Sequence, residues 1–68
     1  MTYLVIVESG ENSFGAYVPD LPGCAVVAET REEALKLIRE AIAFHLESLR
    51  EDGVPVPAAV STTEFIQV

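Results

Sequence analysis

Positive charge is scarce in this chain: four Lys+Arg stand against eleven Asp+Glu among 68 residues, for a formal net charge of −7. Phosphate binding needs clustered cations. Here Arg31, Lys36, Arg39 and Arg50 are outnumbered along their own segment by Glu32, Glu33, Glu40, Glu47 and Glu51. The balance argues against direct nucleic-acid contact and suits a basic protein partner or plain solubility. Cysteine is limited to Cys24, so one chain can form neither an internal disulfide nor a thiol-based metal site. A reducing cytoplasm is the expected location. Long apolar runs are missing as well. None approaches the roughly 20 residues that span a bilayer, and Met1-Thr2-Tyr3 is no cationic leader, so neither membrane contact nor export is expected.

Apolar residues, by contrast, are abundant. They make up 50% of the chain, with a mean hydropathy of +0.34, which excludes disorder. The length allows a single domain, residues 1–68, and no second one. A chain of this size buries only about 60% of its unfolded surface, so a lone monomer is expected to be marginally stable.

Tyr3-Leu4-Val5-Ile6-Val7 is a short β-branched run that predicts a strand. After a turn-rich stretch, Glu8 to Ser13, Phe14-Gly15-Ala16-Tyr17-Val18 predicts a second strand in a hairpin with the first. Pro19-Asp20-Leu21-Pro22-Gly23 cannot continue a ladder, because its two prolines lack donors and Gly23 favours positive φ. Cys24 to Ala28 then predicts a third strand. Thr30-Arg31-Glu32-Glu33 has the capping-box pattern that opens a helix. Apolar positions 34, 35, 38, 41, 42, 45, 46 and 49 fall on one broad helical stripe, with His45 counted among them,. Gly53, just past Glu51-Asp52, is placed for a left-handed stop, with Pro55 sealing it. Val54-Pro55-Val56-Pro57 should be stiff and extended, and Ser61 to Val68 predicts a fourth strand.

The expected fold is therefore α+β in two layers: β-β-β-α-β, with a mixed four-stranded sheet in the order 3-2-1-4 and one helix on one face. The last strand would lie parallel to the first, which would be central, as its unbroken apolar run suggests. Strand one carries Leu4 and Ile6 on one face and Tyr3, Val5 and Val7 on the other. A single helix covers only one of them, leaving an apolar patch for a partner. The helix also overshoots strands of five or six residues, projecting Phe44 and Leu49 past the sheet. Self-association, as a homodimer or higher, follows as an expectation. Its candidate contacts are Tyr3, Val5, Val7, Phe44 and Leu49, together with Val26 on the uncharged third strand, a free edge if nothing covers it.

Phe14-Gly15-Ala16-Tyr17-Val18-Pro19-Asp20-Leu21-Pro22-Gly23-Cys24, then Thr30-Arg31-Glu32-Glu33-Ala34-Leu35, then Gly53-Val54-Pro55-Val56-Pro57, resemble the HicB family of antitoxins. The resemblance runs from the first strand to Pro57, and the P-D-L-P-G-C core followed by a capped helix is its most specific part. It implies a partial RNase H-like β-β-β-α-β domain in a type II toxin–antitoxin system. It further implies that the domain neutralises a small, basic, mRNA-cleaving toxin of the HicA type by direct protein contact. A charge of −7 has the sign needed to hold such a partner. Ala28-Glu29 departs from the Gly-Asp or Gly-Glu that many relatives carry before the helix threonine. The helix-turn-helix or ribbon-helix-helix extension of many relatives has no counterpart in residues 1–68, so operator binding is not carried over.

An RNase H-like outline raises the question of nuclease chemistry, which needs several carboxylates around two metal ions, one of them in the middle of the first strand. Tyr3 to Val7 offers none there. Asp20, Glu29 and Glu33 read as solvated acids or a capping group. Cys24 and His45 lie in apolar patterns that make them core residues rather than a nucleophile and its base, and they cannot fill a tetrahedral metal site. No enzyme activity, catalytic residue, metal or cofactor is expected. The loop at Asp20, Leu21 and Pro22 has two readings: a rigid turn, with Asp20 bonding its own downstream backbone and Leu21 filling a gap, or a pre-shaped recognition loop. Glu40 and Glu47 likewise read as a solvated helix face or as acids facing the toxin. These five are the candidate partner-binding residues. The alternative function is a small homo-oligomeric module that binds a ligand between copies, with no toxin partner.

Overall fold

A single amphipathic helix organises the molecule. The computed structural model describes all 68 residues and places α1 at Arg31–Glu51, a 21-residue helix. Thr30, extended at φ −126°, accepts the Glu33 N–H at 3.1 Å, and Glu32 and Glu33 sit at the positive end of the helix dipole,. The exit is a Schellman motif. Gly53 takes φ +69°, its N–H donates to the Arg50 carbonyl, and the Val54 N–H donates to the Leu49 carbonyl at 2.9 Å. Both ends thus lie where the sequence signals place them.

Three short strands precede the helix: β1 at Ile6–Ser9, β2 at Phe14–Tyr17 and β3 at Ala25–Ala28. They form one antiparallel sheet in the order β1-β2-β3, with Val7 opposite Ala16 and Ala16 opposite Val26. Alternation sends Val7, Phe14, Ala16, Val26 and Ala28 to the helix side. The core there comprises Ala16, Val18, Leu21, Cys24, Ala28, Ala34 and Ile38. Tyr3, Val5, Val7, Leu37, Ala41, Ile42 and Leu46 pack around it half-buried.

The expected four-stranded mixed sheet, order 3-2-1-4, is not formed. The sheet has three antiparallel strands, β2 is central, and β1 lies at an edge. The fold is α+β with element order β-β-β-α. Residues 54–68 enter no strand. Local chemistry accounts for how this segment leaves the helix and where the expected fourth strand would begin. Pro55 and Pro57 have no N–H to give, and the Val60 and Ser61 N–H groups donate to the Asp20 carboxylate instead of to β1.

Candidate functional site

Two consecutive tight turns build the loop between β2 and β3. The Leu21 N–H donates to the Val18 carbonyl and the Cys24 N–H to the Leu21 carbonyl, while the Val18 N–H donates to the Cys24 carbonyl across the base. Each turn carries proline at its second position. The second turn has Gly23 at its third position with φ +83°, the type II arrangement. Closing the loop twice drives Leu21 into the core at 0% exposure and leaves Pro22 exposed at the tip. Asp20 is thereby turned toward the C-terminal segment.

Its carboxylate accepts the Ser61 N–H at 2.9 Å, the Ser61 hydroxyl at 2.7 Å and the Val60 N–H at 3.1 Å. The Ser61 backbone bond, then its hydroxyl, and more weakly the Val60 N–H hold the Asp20 carboxyl below its ordinary range against the opposing effect of burial,. Nearby, the Tyr3 hydroxyl donates to the Pro57 carbonyl at 2.6 Å. These contacts join residues 40 to 54 positions apart. Turn chemistry alone would have Asp20 bond its own downstream backbone, and its partners are instead Val60 and Ser61. No spacing rule points from Asp20 to Ser61; the only hint was an acid in a loop too rigid to need it.

The other candidate residues are dispersed. Glu40 and Glu47 are exposed on α1, Glu40 four residues after Lys36 and Glu47 three before Arg50,. Tyr3, Val5, Val7 and Val26 lie on the helix side of the sheet, packed against the core. Leu49 is half-buried in the last turn of α1. Phe44 stands out at 73% exposure, and no residue of α1 beyond Ile38 is fully buried, although Ala41, Ile42 and Leu46 still pack half-buried against the core. Burial of Cys24 pushes its thiol pKa up, opposite to what a nucleophile needs. No group of three or more His, Cys, Asp or Glu side chains converges, and the single chain contains no pocket. No helix is long and apolar enough to cross a membrane.

The helix-free side of the sheet carries the surface that the sequence did not single out residue by residue. Pairing aligns Ile6, Tyr17 and Ala25 in one row and Glu8, Gly15 and Val27 in the next, and alternation puts both rows on that face. Val27 is 71% exposed and Tyr17 37%. Charge is divided unevenly between the helix and the rest of the chain. Residues 31–51 hold all four Lys/Arg and five Glu, a net −1. The remaining six acids, Glu8, Glu11, Asp20, Glu29, Asp52 and Glu64, have no Lys or Arg among them. The strands and loops therefore carry nearly all of the uncompensated negative charge.

Comparison with known proteins agrees with this architecture. A 14.9 kDa protein from the rep-hol intergenic region of Haemophilus phage HP1 is 33% identical over 66 residues, covering 97% of this chain and 50% of the phage protein. The chain thus spans about half the length of that relative. A UPF0150 protein of Thermoplasma acidophilum is 40% identical over 58 residues, 84% of either chain. Among solved structures, the N-terminal domain of the Burkholderia pseudomallei antitoxin HicB superposes with a TM-score of 0.73 at 39% identity, covering 85% of this chain and 69% of that one. A chain of a HicA3 and HicB3 toxin–antitoxin complex gives 0.74 at 30% identity, covering 88% and 70%. The family described as the HicB-like antitoxin of bacterial toxin–antitoxin systems matches residues 3–68, and the chain belongs to that family.

Proposed function

We propose that this chain is an antitoxin that binds a small basic toxin of the HicA type and silences it by covering its cationic RNA-binding face. The observation that carries the reading is the likeness, at 30% identity over most of the chain, to a protein solved in a HicA3 and HicB3 toxin–antitoxin complex. The charge partition supports it: a basic partner meets an apolar patch at Ile6, Tyr17 and Val27 with the unpaired acid Glu8 on the same face,. Pro22 at the loop tip is a further contact candidate, while the helix acids Glu40 and Glu47, offset by the cations of the same helix, are secondary ones. The mechanism is steric and electrostatic, and it asks no chemistry of the antitoxin. Operator binding is not assigned to residues 1–68.

The chain also self-associates in this reading. Only seven of 68 residues are buried, and the Cα extent along the thinnest axis is 16 Å. That is a small core for a chain this apolar. Co-expression tests the antitoxin role. A neighbouring gene for a small basic protein should arrest growth alone, be relieved by this chain, and yield a product that co-purifies with it. Arrest unrelieved by this chain would remove the proposal.

A further inference from the structure

Two structural features of this chain are incomplete, and each has what the other lacks. Thr62–Val68 reads Thr-Thr-Glu-Phe-Ile-Gln-Val, rich in residues that favour strands,. Every residue of it is exposed, with Phe65 at 94% and Ile66 at 78%, and it lies in no strand. At about 3.3 Å per residue it can run roughly 23 Å, longer than the four-residue β1. The second feature is the outer edge of β1. It is unpaired, and the helix packs chiefly over β3 and β2 rather than β1. Consequently Tyr3, Val5 and Val7 stay half-buried, whereas Ala16, Val18, Cys24 and Ala28 on the other two strands and their extensions are fully covered.

The root of the tail is fixed beside that edge. Tyr3, just before β1, holds Pro57, and Asp20 holds Val60 and Ser61. The two anchor points flank the start of β1, where its pairing with β2 ends at Ile6 opposite Tyr17. The clasp therefore spends the Val60 and Ser61 amides on a carboxylate, and the residues that follow are exposed and join no strand of the chain's own sheet.

We infer that Thr62–Val68 pairs as an added strand on the β1 edge of a second copy, whose tail returns the exchange. This rests on the self-association proposed above and names its contact. A two-fold arrangement gives each protomer one donated strand and one filled β1 edge, so no tail and no β1 edge is left over, while the outer edge of β3 stays open,. Phe65 or Ile66, depending on strand register, would close over Tyr3, Val5 and Val7. An aromatic side chain alone covers roughly 150–250 Å². Two reciprocal seven-residue tails bring the interface toward the ~1,200 Å² at which specific dimers begin. Strand addition also removes an exposed apolar edge that would otherwise template aggregation.

Sedimentation equilibrium and hydrogen-exchange mass spectrometry on the full chain test this, beside the full-length double variant Phe65→Asp, Ile66→Asp. The expected result is a dimer whose Thr62–Val68 amides exchange at least about tenfold more slowly than in an unstructured peptide and lose that protection on dilution into monomer. The double variant should sediment as a monomer with unchanged helical circular dichroism. A dimer with a freely exchanging tail, or a double variant as dimeric as the parent, overturns tail exchange while leaving self-association standing. A monomer at every concentration overturns both, and tail protection that persists in monomer means pairing within one chain and also overturns the exchange. If the variant loses its helix, the concentration dependence of the parent chain's tail decides alone.

Discussion

Asp20 carries the long-range organisation of the loop, and its ionisation can be followed directly. Two bonds from Ser61 and one from Val60 favour the charged form, so the folded pKa lies below the ordinary value of 3.8. A depressed carboxylate contributes stability that is fully present above its unfolded value and is lost as pH falls through the folded one. The clasp should therefore be intact at neutral and mildly acid pH and open only in strong acid. An NMR titration of the Ser61 amide should show a step with its midpoint below 3.8 that vanishes in Asp20→Asn; a midpoint at or above that value would mean the carboxylate does not hold the tail in solution. Cys24 makes the opposite case. Its thiol is buried and pushed up in pKa, so a thiol reagent at pH 7 should modify it only on unfolding. Cys24→Ser places a hydroxyl where no partner waits, at a cost of about 1–3 kcal/mol in urea denaturation. Rapid labelling of native protein would contradict the burial.

At the scale of elements, the helix is the part whose parts can be weighed singly. Thr30→Ala removes the acceptor of the Glu33 N–H and should cost about 0.5–2 kcal/mol by chemical denaturation. Ile38→Ala hollows the centre of the helix–sheet contact, where Ile38 is 2% exposed, and should cost about 2–5 kcal/mol. In so small a domain that approaches the whole stability, so loss of cooperative unfolding is the expected readout; a stable, cooperative Ile38→Ala protein would place the core elsewhere. What was legible in the sequence follows from the same physics. The capping threonine, the stop at Gly53 and the apolar period are local signals, and they mark α1 from end to end. Leu37 lies outside the stripe as read yet packs against the core, because a helix over a small sheet buries its flanks as well as its centre. The second and third strands were recognisable from their composition, whereas β1 runs Ile6–Ser9 and takes in Glu8 and Ser9 from the stretch that reads as a turn. The order of the strands was not recognisable, since β1 becomes central only if a fourth strand pairs beside it, and that depends on where Asp20 sends the Val60 and Ser61 amides. The face of β1 that the helix covers was equally hidden. Both faces are apolar, and only the pairing of Val7 with Ala16 and Val26 decides that Tyr3, Val5 and Val7 go inward while Ile6 joins Tyr17 and Val27 outside.

For the whole molecule, the division of charge makes a prediction that the net value of −7 does not. If a basic toxin were held by net charge alone, reversing any two acids would weaken binding alike. The helix, however, offsets its five acids with four cations, whereas the hairpin and loops offset none. Reversal at Glu8 and Glu11, beside the open apolar rows, should therefore lower affinity for the co-purifying toxin about tenfold or more at low salt, chiefly through the association rate. Reversal at Glu40 and Glu47, among Lys36, Arg39 and Arg50, should change it by less than about threefold. The first loss should shrink as salt is raised, because at 0.1 M exposed charges more than about 10 Å apart are largely screened. Biolayer interferometry at two ionic strengths separates these outcomes. If the helix reversals prove the more damaging pair, the toxin sits on the outer face of α1, and the apolar surface at Ile6, Tyr17 and Val27 must be covered by something else.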